Sequence, residues 1–378
     1  MTAPPAPAAD GWGGPVLGVD GGGTGCRAVL LRGGAVARRW DLGPLNVLLH
    51  ADAVDRLAGL ISDTGAVAAG MGLAGIRDTA HAEKLSAELT ARTGATVVVR
   101  DDTEAALAGA FSGGPGVVVI AGTGSGALGR DAAGRLARAG GHGFLLGDEG
   151  GGYWIGREAV RAALRAGDLL APPTALADVV RAAFGDLVGA VQEVHRNPTD
   201  RTLLTRLVPA VVDAATAGDA VAGRLLADAA TALADLAAAV RTALAGENGP
   251  AGHTPSENGP AGNGPARNGP SGHTSSGNRP AGNGPAGQTP SGNGPTGNGP
   301  TRNGPTRNGP ARNGPAGHAT AGNGPAGEVL AVAMVGGIFA AEPIRARFVR
   351  ATGATAPAEP AELGAVRLLP RPGQDPPG

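Results

Sequence analysis

Residues 16–31 read V-L-G-V-D-G-G-G-T-G-C-R-A-V-L-L and predict a β-hairpin with a glycine-rich turn. An apolar run ends at Asp20, and a second run, Ala28–Leu31, leads away from the turn. The turn between them contains Gly21, Gly22, Gly23 and Thr24. A carboxylate, three glycines and a hydroxyl therefore follow directly on a predicted buried strand.

Such a turn is suited to binding a phosphate chain. Glycines let backbone amides approach a ligand closely, and successive N–H groups form an anion-binding concavity. A carboxylate at the end of a buried strand is costly unless a cation meets it, so Asp20 is a candidate ligand for the metal of Mg-ATP. The alternative is a surface hairpin whose glycines serve only turn geometry, since 68 of the 378 residues are glycine.

The composition excludes several function classes. Lys plus Arg number 31 against 32 for Asp plus Glu, and aromatic residues make up 2%, so the sequence offers neither a basic surface nor stacking platforms for nucleic acid. The single cysteine, Cys26, excludes an intrachain disulfide and a zinc site built on several thiolates, and it suits a reducing cytoplasm. Residues 1–14 resemble a disordered tail and not a signal peptide, and no apolar run predicts a membrane span.

Strand and helix patterns alternate through the first third of the chain, which predicts an α/β fold with ligands at the carboxyl ends of the strands. We expect three strands after the hairpin and two intervening helices. The strands are Ala35–Leu42, Val67–Ile76 and Thr96–Val99, and the helices are Val47–Ile61 and a segment capped by Asp78 that ends near Thr93.

Two polar positions in this region are ambiguous. Asn46 follows a Gly-Pro turn and either caps the next helix, the favoured interpretation for a lone asparagine, or binds a ligand hydroxyl. Asp102 follows a strand end, where a catalytic carboxylate is expected, but it also precedes a helix, Thr103–Phe111, that it could cap. Adjacent residues of a strand point to opposite faces, so Asp101 and Asp102 are not expected to share one proton.

A second strand, glycine and hydroxyl turn lies in residues 116–126, G-V-V-V-I-A-G-T-G-S-G. The recurrence suggests two half-sites that face each other across a cleft. A loop at residues 140–152 follows, in which Asp148 either accepts hydrogen bonds from sugar hydroxyls or, with Glu149, stabilises the next helix N-terminus. His142 is interpreted as a loop histidine. The second turn consists of Gly122, Thr123, Gly124 and Ser125.

The remaining chain divides into three parts. Residues 168–245 are predicted to be helical, and the apolar residues that recur at spacings of three and four from Leu225 to Leu244 predict one buried stripe on the last helix. Residues 247–327 cycle through Asn-Gly-Pro units without large apolar residues, which predicts a disordered insertion, because no burial can offset its ordering entropy. The chain after the insertion begins with a predicted strand, Val329–Val335. The pair Gly336-Gly337 follows and either flanks an adenosine or allows close helix packing. Helices are predicted at Ile338–Thr352 and Pro360–Leu369.

In this order the motifs resemble the sugar-kinase, heat-shock-protein and actin superfamily, and within it the N-acetylglucosamine kinase and BadF/BadG-type ATPase family. The pattern of that family is D-G-G-G-T, G-P-x-N, a strand ending in N-D or T-D, G-T-G-S, G-x-G-x-x-x-G-D-E-G and a late glycine pair. The matching positions are 20–24, 43–46, 101–102, 122–125, 141–150 and 336–337.

The resemblance implies two ribonuclease-H-like domains, as in actin-like ATPases, that flank a nucleotide cleft. The first domain would comprise residues 15–114 and 356–371, and the second residues 115–246 and 328–355. The implied cofactors are ATP and Mg²⁺, and the implied partner is a small-molecule sugar, with no nucleic acid and no membrane; a homodimer is left open.

The resemblance also implies roles for individual residues. Asp20 would position Mg²⁺, and Asp102 would accept the proton of the sugar 6-hydroxyl as that oxygen attacks the γ-phosphate. The sugar would be held by Asn46, Asp102, Gly122, Thr123 and Asp148. The ATP would be bound by Gly21, Gly22, Gly23, Thr24, Gly122, Thr123, Gly124, Ser125, Gly336 and Gly337.

Two other functions compete with an ATP-dependent amino-sugar kinase as interpretations of the sequence. One is an ATPase that drives electron transfer to a dehydratase or reductase. Relatives of that kind bridge an iron–sulfur cluster with two cysteines per subunit, whereas Cys26 is alone. The other is a sugar-sensing regulator, but no helix-turn-helix segment precedes the first strand. The sequence departs from the family pattern at Gly25, Cys26, Asp101, His142 and Gly151, which leaves the identity of the sugar open.

Overall fold

The computed structural model describes residues 11–22, 25–246 and 329–370, all of which belong to one structural unit. Two turn residues, Gly23 and Thr24, lie outside the described residues, as do residues 1–10 of the predicted tail and the whole predicted insertion, 247–327. Within the described part of the chain, no helix is long and apolar enough to cross a membrane.

The first sheet has five strands in the order β3-β2-β1-β4-β5. Strands β1 and β2 form the predicted antiparallel hairpin, in which Asp20 lies opposite Arg27. Strand β4 pairs in parallel with both β1 and β5, so the carboxyl ends of these three strands lie at one edge of the sheet. The strands are Val16–Gly21 (β1), Cys26–Arg32 (β2), Ala35–Asp41 (β3), Ala68–Leu73 (β4) and Thr96–Asp101 (β5).

Three helices follow strands of this sheet: Ala53–Thr64 (α1), Thr79–Thr93 (α2) and Asp102–Ala110 (α3). Asp78 caps α2 as predicted, because its side chain accepts a hydrogen bond of 2.6 Å from the amide of His81. Helix α1 begins six residues later than the prediction of Val47, so Asn46 does not cap it. Asn46 instead forms a tight turn in which its Oδ1 accepts from the amide of Leu48 at 2.9 Å.

The second sheet repeats this plan with four strands in the order β8-β7-β6-β9. Strands β6 and β7 form an antiparallel hairpin around the second glycine turn, and β9 pairs in parallel with β6. Strand β8, which the sequence analysis did not predict, extends the hairpin at its outer edge. The strands are Gly116–Ala121 (β6), Ser125–Arg130 (β7), Leu136–Gly140 (β8) and Val332–Val335 (β9).

The segment predicted to be helical packs against the second sheet. Its longest helix, α9, buries one stripe that includes Leu225, Leu233 and Val240, in agreement with the predicted periodicity. The helices are Gly152–Gly167 (α4), Leu176–Phe184 (α5), Leu187–Arg196 (α6), Thr202–Thr205 (α7), Val208–Thr216 (α8) and Ala220–Ala245 (α9).

The predicted single helix Ile338–Thr352 is wrong. A 3₁₀-helix, Gly337–Ala340, is followed by a separate α-helix, Glu342–Thr352 (α10). The break falls before Pro343, since proline lacks the N–H that a continuous helix would require and is tolerated only in the first turn. The chain then returns to the first sheet with a short helix, Ala361–Val366 (α11).

Helices α3 and α11 pack between the two sheets. Apolar residues of α3, Ala106 and Leu107, share a buried cluster with Val118 and Leu128 of the second sheet. Helix α11 contacts α3, β1 and β4. The described structure thus consists of two similar sheets that share α3 as a common packing element.

Candidate active site

Asp20 lies at the carboxyl end of β1, between its register partners Arg27 on β2 and Gly72 on β4. The guanidinium of Arg27 donates from Nη2 to Oδ2 of Asp20 at 2.6 Å, and the Asp20 side chain is 16% exposed. Burial raises the pKa of Asp20, the hydrogen bond and charge of Arg27 oppose that shift, and the charge of Glu362 adds to it. This edge of the first sheet therefore holds a partly desolvated carboxylate.

Asp101, and not Asp102, is the N-cap of α3. Strand β5 extends to Asp101, whose Oδ1 accepts from the backbone amide of Thr103 at 3.0 Å and from the Thr103 hydroxyl. The capping alternative for Asp102 is therefore wrong, because the capping position falls one residue earlier than the sequence suggested. Asp102 is the first residue of α3, and its carboxyl group is left for another use.

Burial raises the pKa of Asp102 to about 8, with further contributions from the negative charges of Asp101 and Asp20. The charge of Arg138 and a backbone hydrogen bond from Thr103 oppose the shift. Asp20 lies near the end of β1 and Asp102 directly follows β5, and both strands run parallel to β4, so the two aspartates lie at the same edge of the first sheet.

Gly72 makes this arrangement possible. It is the register partner of Asp20, and a Cβ added to it would lie 2.3 Å from Cβ of Ala105 and 3.3 Å from Cα of Asp102. Any larger residue would push the first turn of α3 away from β4. The absence of a side chain at Gly72 therefore lets the N-terminus of α3 sit directly beside the end of β1.

The second glycine turn is held by the start of α4. The amides of Gly152 and Tyr153 donate to the carbonyls of Gly122 and Thr123 at 2.8 and 3.0 Å. Ser125 is buried, and its hydroxyl donates to the carbonyl of Glu149 at 2.7 Å. This hydroxyl is committed within the protein and ties the second turn to the loop before α4.

Asp148 packs against the same turn. It has a left-handed backbone conformation with φ of 61° and is 6% exposed. A Cβ added to Gly124 would lie 2.4 Å from Oδ2 of Asp148, so a larger residue there would displace the Asp148 carboxyl group. Burial raises the pKa of Asp148, while hydrogen bonds from the backbone amides of Ser125 and Gly143 oppose the shift. The carboxyl group therefore links the loop after β8 to the second turn.

The other predicted ligands lie beside the ends of β4 and β6. Asn46 forms a parallel bridge with Ala74 just beyond β4, and an added Cβ on Gly75 would lie 2.5 Å from Oδ1 of Asn46. Gly336 has φ of 113°, and an added Cβ would lie 2.2 Å from the carbonyl oxygen of Ala121. Close packing therefore explains Gly336, whereas an added Cβ on Gly337 would meet no atom within 4 Å.

Three charged residues of this region were missed by the sequence analysis. Arg27 could have been found, because a hairpin with a four-residue turn places it opposite Asp20. Arg138 contacts Asp101 at 2.9 Å, but it lies on the unpredicted strand β8. Glu362 is 5% exposed on α11 and pairs with Arg39 at 2.6 Å, a contact between residues 323 positions apart that local sequence patterns do not reveal.

The two similar sheets, each with a glycine turn after its first strand, define the actin-like ATPase fold. A solved structure from Chromobacterium violaceum, described as a candidate N-acetylglucosamine kinase, matches 93% of this chain and 97% of its own with a TM-score of 0.60 at 21% identity. The sequence profile of the BadF/BadG/BcrA/BcrD ATPase family matches residues 17–251. The chain therefore belongs to this family.

Two curated relatives are similar over part of their length. A Clostridium acetobutylicum protein named N-acetylmuramic acid/N-acetylglucosamine kinase is 37% identical over 139 residues, which are 35% of this chain and 44% of that protein. A Dictyostelium discoideum protein named N-acetyl-D-glucosamine kinase is 36% identical over 126 residues, which are 32% of this chain and 39% of that protein. The chain thus aligns with less than half of the length of each.

Proposed function

We propose that the chain is an ATP-dependent kinase that phosphorylates the 6-hydroxyl of N-acetylglucosamine or a related amino sugar. The observation that carries this proposal is the position of Asp102, a partly buried carboxyl group with a pKa of about 8 that is not used to cap α3. Family membership and the names of the two curated relatives support the same activity.

Asp102 acts as the general base in this proposal. It accepts the proton of the attacking sugar hydroxyl while that oxygen bonds to the γ-phosphorus and the bond to the ADP oxygen breaks. A pKa of about 8 suits this role, because the fraction of Asp102 that is ionised near neutral pH is a stronger base than a carboxylate of ordinary pKa. Arg138 and Thr103, which contact Asp101, keep the preceding cap fixed while Asp102 carries the proton.

The phosphate chain is assigned to the two glycine turns. Gly21, Gly22 and the second turn, Gly122 to Ser125, lie at strand ends where the lack of side chains on the glycines lets a phosphate chain approach the backbone. The amides of Gly22 and Gly122 themselves hold the turns, since they donate to the carbonyls of Gly25 and Gly124 at 2.8 and 2.9 Å. Gly23 and Thr24 are assigned the same role by their position in the motif and lie outside the described residues. The open space beside Gly337 supports an adenosine position at the end of β9.

The donor chemistry at Asp20 fits a divalent cation. Its carboxylate is partly desolvated, lies near the second acidic group, Asp102, and is contacted by Arg27 at Oδ2. Oxygen ligands of this kind suit Mg²⁺, which would be held by Asp20. When bound, Mg²⁺ neutralises charge that develops on the transferring phosphoryl group.

The sugar is assigned to the region between the carboxyl ends of β4 and β5 and the second glycine turn. Asn46 at the end of β4 and Asp148 beside the second turn are its proposed polar ligands, together with Asp102 and the backbone of Gly122 and Thr123. Closure of the proposed domains, 15–114 with 356–371 and 115–246 with 328–355, would exclude water, which otherwise competes as the phosphoryl acceptor.

Cys26 argues against the electron-transfer alternative. Its thiol is fully buried, and burial, followed by the charge of Asp20, raises its pKa to about 11. Iron–sulfur clusters are ligated by thiolates, so a buried thiol of raised pKa is a poor ligand.

The proposal is tested by sugar-dependent release of ADP with a panel of amino sugars and hexoses. Asp102→Asn is expected to lower kcat by about 100-fold or more, because general-base catalysis contributes 10²–10⁴-fold. Asp55→Asn, a change at an exposed aspartate of α1, is the matched control and should leave kcat unchanged. Unchanged sugar-dependent ADP release by the Asp102→Asn variant would overturn the assignment.

A further inference from the structure

Arg138 joins the two sheets beside the proposed base. It lies on β8 of the second sheet, and its Nη2 donates to Oδ1 of Asp101 at 2.9 Å and to Oγ1 of Thr103 at 2.8 Å. Asp101 is the last residue of β5 in the first sheet. The side chains of Arg138 and Asp101 are 29% and 17% exposed, so the ion pair is shielded from most of the solvent.

The ion pair restricts the first turn of α3. Oδ1 of Asp101 accepts from three donors: the amide of Thr103, the hydroxyl of Thr103 and the guanidinium of Arg138. Charge-assisted bonds of this kind are about twice as strong as neutral ones. Since Asp102 lies between the two residues that Arg138 contacts, its backbone is fixed relative to β8.

The same sheet carries the second glycine turn. Strand β7, which follows that turn, pairs Leu128 directly with Arg138. Further along α3, Leu107 packs in one cluster with Leu128. Helix α3 is therefore attached to the second sheet by apolar contacts along its body and by a charged contact at its first turn.

We propose that Arg138 is a positioning residue for phosphoryl transfer. By bridging Asp101 and Thr103 to β8, it holds Asp102 in a fixed position relative to the second glycine turn. The inference rests on the proposed kinase function. In that function the base is supplied by a helix that follows the first sheet, and the phosphate is held by a turn of the second sheet. Phosphoryl transfer therefore requires one defined placement of the two sheets once the proposed domains have closed. A displacement of about 1 Å at a reacting group can cost about 100-fold in rate.

Three variants test this inference by steady-state kinetics. Arg138→Gln should lower kcat about 10- to 100-fold while the KM values for ATP and sugar change less than about threefold, since positioning acts on the transition state. Arg138→Lys keeps the charge and should recover part of the loss. Arg92→Gln removes another arginine–aspartate pair, with Asp55, in the first half of the chain and should match the wild type.

A double variant separates positioning from simple charge compensation. In Asp101→Asn/Arg138→Gln no charge remains at this contact, yet the link to β8 is still missing, so kcat should stay about 10-fold or more below the wild type. Asp101→Asn alone keeps an acceptor for Arg138 and Thr103 and should lose less than about fivefold. Recovery of wild-type kcat in the double variant would overturn the inference, as would an Arg138→Gln variant equal to Arg92→Gln.

The outcomes distinguish this inference from the proposed function. If the wild-type chain releases no ADP with any sugar of the panel, the kinase function fails and the inference with it. If the wild type is active, Asp102→Asn is inactive and Arg138→Gln is unaffected, only the inference fails. The melting temperatures of all variants are compared with that of the wild type. If Arg138→Gln is unfolded at the assay temperature, the kcat of Asp101→Asn/Arg138→Gln is measured instead, and the same loss of kcat is expected.

Discussion

At the scale of single residues, Asp102, the proposed base, carries an energetic cost. Its pKa rises from 3.8 to about 8, chiefly because burial disfavours the charged form. Between these two pH values the folded chain holds a proton that the unfolded chain has released. The free energy of unfolding contributed by this group is therefore complete below pH 3.8 and falls as the pH rises towards 8.

This pH dependence of the free energy of unfolding can be tested by removing the Asp102 carboxyl group. Asp102→Asn removes the group that titrates, so its melting temperature should increasingly exceed that of the wild type between pH 5 and pH 8. A gain of about 1 kcal/mol corresponds to roughly 2 °C for a chain of this size. Thermal unfolding of both proteins at the two pH values checks it. A difference in melting temperature that does not change with pH would contradict the burial of the Asp102 carboxyl group.

For other side chains of the site, the sequence predicted where they lie but not which hydrogen bonds they form. The sequence identified Asp101 and Asp102 as neighbours at a strand end, and only the extent of β5 decided that Asp101 is the cap. The favoured prediction that Asn46 caps the following helix is wrong, because its side chain accepts a hydrogen bond within its own turn and α1 begins only at Ala53. Both differences arise because a shift of one or a few residues in an element boundary changes which side chain meets the backbone amides.

At the scale of elements, α11 packs unusually closely on the first sheet. A Cβ added to Gly70 of β4 would lie 1.9 Å from the carbonyl oxygen of Ala365, and one added to Gly18 of β1 would lie 2.0 Å from that of Glu362. A Cβ added to Gly364 of α11 would lie 2.0 Å from the carbonyl oxygen of Ala105 in α3. Glycine at these positions lets the backbone of one element rest directly on the backbone of another.

Gly70→Ala is therefore expected to be strongly destabilising, by about 3 kcal/mol, because an added methyl group would overlap a backbone atom that cannot rotate away. Gly59→Ala is the matched control: Gly59 lies in α1 and an added Cβ there would meet nothing within 4 Å. That change should stabilise the chain by about 0.5–1 kcal/mol, the usual preference for alanine in a helix. Urea denaturation of both variants tests this prediction. Equal unfolding midpoints for Gly70→Ala and Gly59→Ala would refute the close packing of α11.

At the scale of the whole molecule, the chain leaves the second sheet after α9 and returns to it at β9. Arg241 near the end of α9 donates from Nε to the carbonyl oxygen of Leu330 at 2.8 Å, so the two ends of the intervening segment are anchored to each other. Strand β6, which precedes residues 247–328, and strand β9, which follows them, pair in parallel in the second sheet. Among the described residues, the second sheet is thus completed by strands from both sides of residues 247–328.

Replacing residues 247–327 with a linker of about ten glycine and serine residues should leave the fold and the kinase rate unchanged. Each doubling of loop length costs only about 0.6 kcal/mol, so the shorter connection should stabilise the chain by at most about 2 kcal/mol. Melting temperature and sugar-dependent kcat of the shortened protein test this. A loss of kcat beyond about twofold with an unchanged melting temperature would assign the segment a part in catalysis.

The sequence by itself determined the two glycine hairpins, the buried strands, the amphipathic stripe of α9 and the order of motifs typical of the family. These features depend on neighbouring residues, since turn geometry and side-chain periodicity are local. Only the tertiary structure decided that Asp101 binds Arg138, 37 positions away, and that Glu362 meets Arg39 across 323 positions. Such contacts depend on how sheets and helices pack, and the same packing sets the burial that raises the pKa of Asp102.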